Sequence, residues 1–312
     1  MTTEMSDVER GPVIQTVSVP EHGPTAALSA DPEPLPLLAA PAAVSAALLF
    51  LGLIAVVGLF AGCLAPFGYD DQDLVLRLQP PAFFGGSAEH WLGTDELGRD
   101  VFSRLLFSIR ISLATALVGT LLSACIGTMV GFLAPRFGGL VDQALMMLVD
   151  AQASVPFLIL ALAALAFFGN SFVLFALLLS LNGWETYARV ARGLVLSTHE
   201  LPYIEAVRLL GAGPWRIYSR HVLPSVAGIL IVKVTLNFPA TILLESGLSF
   251  LGLGIQPPLT SLGLMLGTGR EFLLVAWWLA VMPGTTIFLT TLSVSLVGDW
   301  LRDRFDPRLR GV

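Results

Sequence analysis

Ionisable side chains set inside apolar runs are the first candidates for chemistry in this sequence. Lys233 interrupts the apolar run 226–249, and Asp150 lies between Phe137 and Arg189, where two membrane spans compete for room. A charge at bilayer depth is costly and is usually retained for a function. Lys233 and Asp150 are therefore candidates for an intramembrane pair or a pathway-lining charge. The plainer alternative is that the long stem of Lys233 carries its ammonium back to the interface. Glu185 and Arg189 stand four apart, the spacing of a local ion pair on one helix face.

Other chemistry has little to draw on. The four histidines (His22, His90, His199, His221) are scattered without ligand spacing, so no metal site is expected. Cys63 and Cys125 both sit in apolar runs, where a thiol is expected to behave as a small buried hydrophobe, and neither belongs to a CxxC. No Ser–His–Asp set or paired-carboxylate set is visible, and the phosphate cradle GxxxxGK[ST] is absent. The glycine clusters FLGLGIQPP and LGLMLGTGRE lack both the lysine and the strand-to-helix setting of such a cradle. The chain reads as non-catalytic, with no catalytic residue and no cofactor of its own.

The surrounding elements explain this. Hydrophobic residues make up 55% of the 312-residue chain and charged residues only 13%, with a mean hydropathy of +0.78. A soluble domain carries roughly 25% charge, so the composition is that of a polytopic membrane protein. A hydrocarbon core needs about 20 helical residues per crossing. Charge-free runs then predict an all-α membrane protein with six transmembrane helices, at roughly 43–65, 111–135, 140–167, 171–188, 226–249 and 272–298. Residues 1–40 have the composition of a disordered tail, and 41–312 form the membrane domain. An acidic tail in front of 43–65 suits a retained span better than a cleaved leader. With an even span count, the positive-inside rule chooses N-in/C-in. That choice leaves 66–108 as an outer loop and 190–224 as a cytoplasmic one. Pro257–Pro258 marks an extended outer loop, and Trp277–Trp278 are expected to anchor the last span at the outer interface.

The loop 190–224 contains YIEAVRLLGAGPWRIYSRHVLP, a basic and half-apolar stretch between two long apolar runs. Ile204, Val207, Leu210 and Trp215 are predicted to form one apolar stripe, with Glu205, Arg208 and Arg216 polar. Gly211 and the Gly213–Pro214 pair should break the helix. A short amphipathic helix of this kind suits a groove on a soluble partner, or else the lipid surface.

In order and interval, Glu205, Ala206, Gly211, Leu223 and Pro224 resemble the EAA loop of ATP-binding-cassette importer permeases, with Val207 a departure at the third position. His221 departs from the broad family, although RHVLP looks typical of the peptide and nickel branch. HWLGTDELGRDVFSRLLFSIRISL (90–113), ESGLSFLGLGIQPP (245–258) and GDWLRDRFDPRLRG (298–311) are similar to segments of the C-type subunits of dipeptide, oligopeptide and nickel importers. The resemblance implies a type I importer permease fold in a bacterial inner membrane, with 190–224 carrying a coupling helix. Its ATPase-coupling residues would be Glu205, Ala206, Val207, Leu210, Gly211, Trp215, Arg216, Leu223 and Pro224. It further implies a homologous B-type permease, two ATPase subunits that bind ATP and Mg, and an extracytoplasmic substrate-binding protein, with no nucleic acid. The GTDELGRD segment is then either a folded lid or a contact for that binding protein. Peptide is the expected cargo, nickel or another small solute the alternative, and a gradient-driven secondary transporter the reading from a different class.

Overall fold

The computed structural model describes residues 41–305. The expected tail 1–40, Arg308 and Arg310 lie outside them. All regular structure among the described residues is helical, apart from one isolated bridge between Thr94 and Asp100. Four helices are long and apolar enough to cross a membrane: α1 (Ala42–Leu59), α3 (Val101–Phe137), α10 (Leu223–Phe250), which continues a shorter helical lead-in, and α12 (Trp278–Phe305). A four-residue helix, α2 (Ala61–Leu64), follows α1. No more than a third of each spanning window is buried within the chain. The exposed remainder, including Leu49, Leu53 and Leu59 on α1 and Phe288 on α12, is apolar, as a surface facing hydrocarbon or another apolar subunit must be.

α3 is the longest element. Asp100 opens it, its carboxylate accepting the Ser103 amide at 2.7 Å, and Gly138 closes it in a left-handed conformation. Its 37 residues extend about 55 Å, well beyond a 30 Å hydrocarbon layer. Its first turns therefore reach the folded 66–100 segment. Along one face run Ala116, Gly119, Ser123, Gly127, Gly131 and Ala134, all buried. This stripe of small residues lets α7 (Trp184–His199) approach backbone to backbone. A Cβ placed on Gly131 would lie 2.5 Å from the Ala188 carbonyl and 2.6 Å from the Ala191 Cβ.

The expected third and fourth spans are not single helices. The 140–167 segment is α4 (Gly139–Ser154) and α5 (Phe157–Phe168), bent by 85°. Pro156 has no amide to donate and drives Val155 to an extended conformation. The 171–188 segment is α6 (Phe172–Ser180) and the start of α7, separated where Gly183 turns left-handed. Counting the bent pair as one span gives five by length and apolarity; the remaining one of the six read from charge-free runs falls on α6 and α7, of 9 and 16 residues, each too short to be counted alone. The last span begins at Trp278 rather than 272, because Arg270–Phe272 is a 3-10 turn after α11 (Leu262–Gly269). Cys63 and Cys125 are exposed rather than buried, since both sit on helix faces turned away from the chain's own core.

The bundle has two ends of different character. At one, the 66–100 segment caps α3, α11 and the start of α12. Asp95 (2% exposed) is bound by Arg99 at 2.7 Å and by buried Arg104, while His90 meets Asp100 at 3.0 Å. Gly93 and Gly98 take left-handed turns there that a side chain would strain. Trp278 is buried, its indole N–H donating to the Thr94 carbonyl at 3.3 Å. It is therefore part of this cap and not a headgroup anchor. At the other end, α7 and α10 are joined by the loop 200–222.

Candidate functional site: the loop joining α7 and α10

After α7 the chain turns at Leu201 and enters α8 (Pro202–Leu209), then α9 (Pro214–Ile217), then a single π-helical turn, Tyr218–Val222, that runs directly into α10. Pro202 and Pro214 each stand in a first helical turn, where a missing amide costs nothing and a fixed φ favours the helix. Gly211 ends α8 with φ +82°. Its amide donates to the Arg208 carbonyl at 3.0 Å, and the Ala212 amide reaches back to Val207 at 3.3 Å.

The loop has a small core of its own. Ile204 (0% exposed), Val195, Ile217 and Val222 are buried together, with Phe132, Val207 and Tyr218 packed around them. Only half of the predicted apolar stripe is turned inward. Leu210 (87% exposed) and Trp215 (83%) face outward, because the left-handed turn at Gly211 takes Leu210 off the helical face and Trp215 starts a new helix. With Leu209 they form an apolar cluster bordered by exposed Glu205, Ala206, Arg208 and Arg216. Leu223 and Pro224 are also exposed, at the start of α10. All nine sequence-predicted coupling residues therefore fall on one continuous stretch of chain, with Val207 its half-buried member. Beside this cluster an open apolar groove of ≈ 890 Å³ runs between α3 and α9–α10, lined by Phe132, Leu133, Arg136, Trp215, Tyr218 and Leu223 among others.

His199, at the end of α7, sits edge-on to Tyr218 with ring centroids 5.2 Å apart, and its buried Nε2 has no hydrogen-bond partner. Burial, with Arg208 nearby, holds the imidazole below the usual histidine range.

Neither of the two pairings weighed from the sequence is formed. Asp150 is exposed on α4 and Lys233 is half-buried on α10, and no ion pair joins them. Glu185 does not bridge to Arg189; its carboxylate accepts the Thr186 hydroxyl at 3.4 Å, and Arg189 is exposed. Instead Arg192 grips Asp142 of α4 through two bonds of 2.7 Å. That bidentate pair joins residues 50 apart and has no local spacing to give it away. Among the described residues, no group of three or more His, Cys, Asp or Glu side chains could hold a metal ion.

Comparison with known proteins agrees with this arrangement. The family described as the binding-protein-dependent transport system inner membrane component matches residues 123–311. The di/tripeptide transport system permease protein DppC of Pseudomonas aeruginosa is 39% identical over 84% of this chain and 87% of its own. The glutathione transport system permease protein GsiD of Pectobacterium atrosepticum is 38% identical over 85% and 87%, and the dipeptide permease DppC of Bacillus subtilis 38% over 84% and 80%. Among solved structures, the MetNI methionine ABC transporter in inward-facing conformations superposes with a TM-score of 0.51 at 20% identity. That match covers 64% of this chain and 96% of that one, a likeness of fold. With these matches spanning its helical domain and the loop between α7 and α10, the chain belongs to the binding-protein-dependent transport system inner membrane component family of ABC importer permeases.

Proposed function

We propose that this chain is the C-type membrane subunit of a bacterial inner-membrane importer of small peptides, coupled to its ATPases through α8 and α9. The carrying observation is the outward Leu209, Leu210 and Trp215 cluster, which rests on an internal core and is bordered by Glu205, Arg208 and Arg216. Exposed apolar anchors on a short rigid helix are what a groove on a soluble partner takes up. The lipid surface would want one unbroken apolar face, and Gly211 breaks it.

In this reading α7 and α10 meet the cytoplasm at the loop, the termini lie on the same side, and the 66–100 cap faces outward. Arg189, Arg192, Arg208, Arg216 and Arg220 then lie inside, while the arginines of the cap are diluted by Asp70, Asp71, Asp73, Asp95, Glu96 and Asp100. A B-type permease completes the pathway and an external binding protein delivers cargo. Two ATPase subunits supply the nucleotide chemistry with ATP and Mg²⁺. Peptide cargo follows from relatives named for dipeptides and glutathione.

The test is co-purification of the tagged chain with its neighbouring permease and ATPase subunits, wild type against a Leu210→Ser/Trp215→Ser variant. Loss of the ATPase with the membrane domain still monodisperse is the expected result. Full ATPase recovery with the variant, or none with a well-folded wild type, overturns the coupling assignment. Uptake of labelled dipeptide by the intact complex then tests the cargo.

A further inference from the structure

Glu245 is a fully buried carboxyl group (0% exposed) inside a spanning helix, five residues before α10 ends at Phe250. The Ser249 hydroxyl donates to it at 3.0 Å and that of Ser246 at 3.3 Å, and the hydroxyls of Ser112 and Ser261 adjoin it. Three of these oxygens accept a backbone amide as well. The Leu262 amide donates to Ser112 at 3.1 Å, that of Ile255 to Ser249 at 3.3 Å, and that of Leu264 to Ser261 at 3.1 Å. Ser112, Ser249 and Ser261 thus each join one amide of the 251–269 segment to the surroundings of the same carboxyl, and the cluster ties α3, α10 and α11 together.

Among the described residues no cation pairs with it. On α3, Arg104 is committed to Asp95 and Arg110 is exposed. On α10, Lys233 lies twelve residues away, about 18 Å along the helix. α11 carries no charge, Arg270 beyond it lies over the Phe250 ring at 4.8 Å with Glu271 next to it, and α12 has none before Asp299. α1, α5 and α6 are uncharged. Nor is there slack around the cluster. A Cβ on Gly254 would collide with the Ser249 hydroxyl, and one on Gly263 would lie 2.8 Å from the Ser249 Cβ.

We propose that Glu245 is the positioning residue that locks the 251–269 segment onto α3 and α10. A buried polar group that loses its hydrogen-bond partner is costly, so the serine hydroxyls that donate to the carboxyl group and accept the amides of this segment are held in place by it.

The test is hydrogen exchange of the 251–269 amides in the full chain, co-expressed with its partner subunits and held in nanodiscs. This readout does not depend on cargo or on ATPase docking. Glu245→Gln keeps the shape and an acceptor oxygen for the serines and should retain wild-type protection. Glu245→Ala should speed exchange at Ile255, Leu262 and Leu264 by about tenfold or more. Equal loss in the Gln and Ala variants would overturn the proposal, as would wild-type protection in Glu245→Ala. Should the Ala variant fail to fold, Ser261→Ala must loosen Leu264 first, and its failure to do so would overturn the lock.

Discussion

The seam between α3 and α7 makes a demanding prediction because its cost can be worked from a single methyl group. In Gly131→Ala the new Cβ would stand 2.5 Å from the Ala188 carbonyl, 2.6 Å from the Ala191 Cβ and 3.0 Å from the Arg192 amide. These atoms belong to the backbone or its first side-chain carbon, so none can swing aside. Comfortable contact is roughly 3.5 Å, and α7 must therefore back away by about an ångström. Overpacking of this kind costs about 1–3 kcal/mol, against about 0.5–1 kcal/mol gained by replacing a helical glycine with alanine. The net expectation is a loss of about 1–2 kcal/mol. Gly193→Ala is the internal control: it lies on the exposed side of α7 with nothing within 4 Å of its would-be Cβ, so it should be neutral or stabilising. The measurement is the thermal midpoint of the detergent-solubilised complex, followed by the monodisperse fraction after heating. A Gly131→Ala midpoint at or above that of Gly193→Ala would refute the claim that the two backbones are in contact.

At the cap, Asp95→Asn leaves Arg104 buried without its anion and should cost about 3–5 kcal/mol, read as a lower midpoint and faster proteolysis of the 66–100 segment. His199 is held below its ordinary pKa by burial first and by Arg208 second. The stability it contributes is therefore present above about pH 6.5 and is lost as pH falls through the depressed folded-state value. Protection of the α8 amides, corrected for the intrinsic exchange rate, should fall on acidification, and His199→Phe should abolish that fall. Ile204→Ala should cost about 2–5 kcal/mol by opening a cavity in the loop's own core. Because Leu209, Leu210 and Trp215 stay exposed, ATPase subunits should still co-purify while ATP-driven uptake falls.

The features that were legible from the residues are those written locally. The loop announced itself because proline, glycine and charge interrupt a chain that otherwise avoids them, and four of the long helices were visible as charge-free runs. The bend at Pro156 was also local, but a charge count passes over a proline that carries no charge. What local spacing cannot carry is the partner across space. Arg192 pairs with Asp142 because α4 lies against α7, and Glu185 accepts a neighbouring hydroxyl where spacing had offered it Arg189. The serines around Glu245 are spread from Ser112 to Ser261, and each alone is an ordinary polar residue of an apolar helix. The outward turn of Leu210 and Trp215 depended on one backbone angle at Gly211, which periodicity assumes to be helical.

A displacement applied at the loop must travel through parts that do not yield separately. Ile204 and Ile217 are packed with Val195 of α7 and against Val222, the residue that leads into α10, so a load on Trp215 moves both helix ends instead of folding the loop. α7 transmits it to α3 through a seam in which side chains too small to deform leave backbone against backbone. α10 transmits it toward Glu245, where the serine cluster joins it to α3 and α11. The mechanical path therefore closes on itself: α7, α3, the carboxyl cluster and α10 form a loop of elements with rigid joints. Of the helices outside it, α4 is attached through the Arg192–Asp142 ion pair and through Met146 and Val149, which pack with Ile126 and Val130 of α3 and Trp184 and Ala188 of α7. Relative motion during transport is accordingly expected at the bend between α4 and α5, where Pro156 has already removed the helical hydrogen bonding that would resist it.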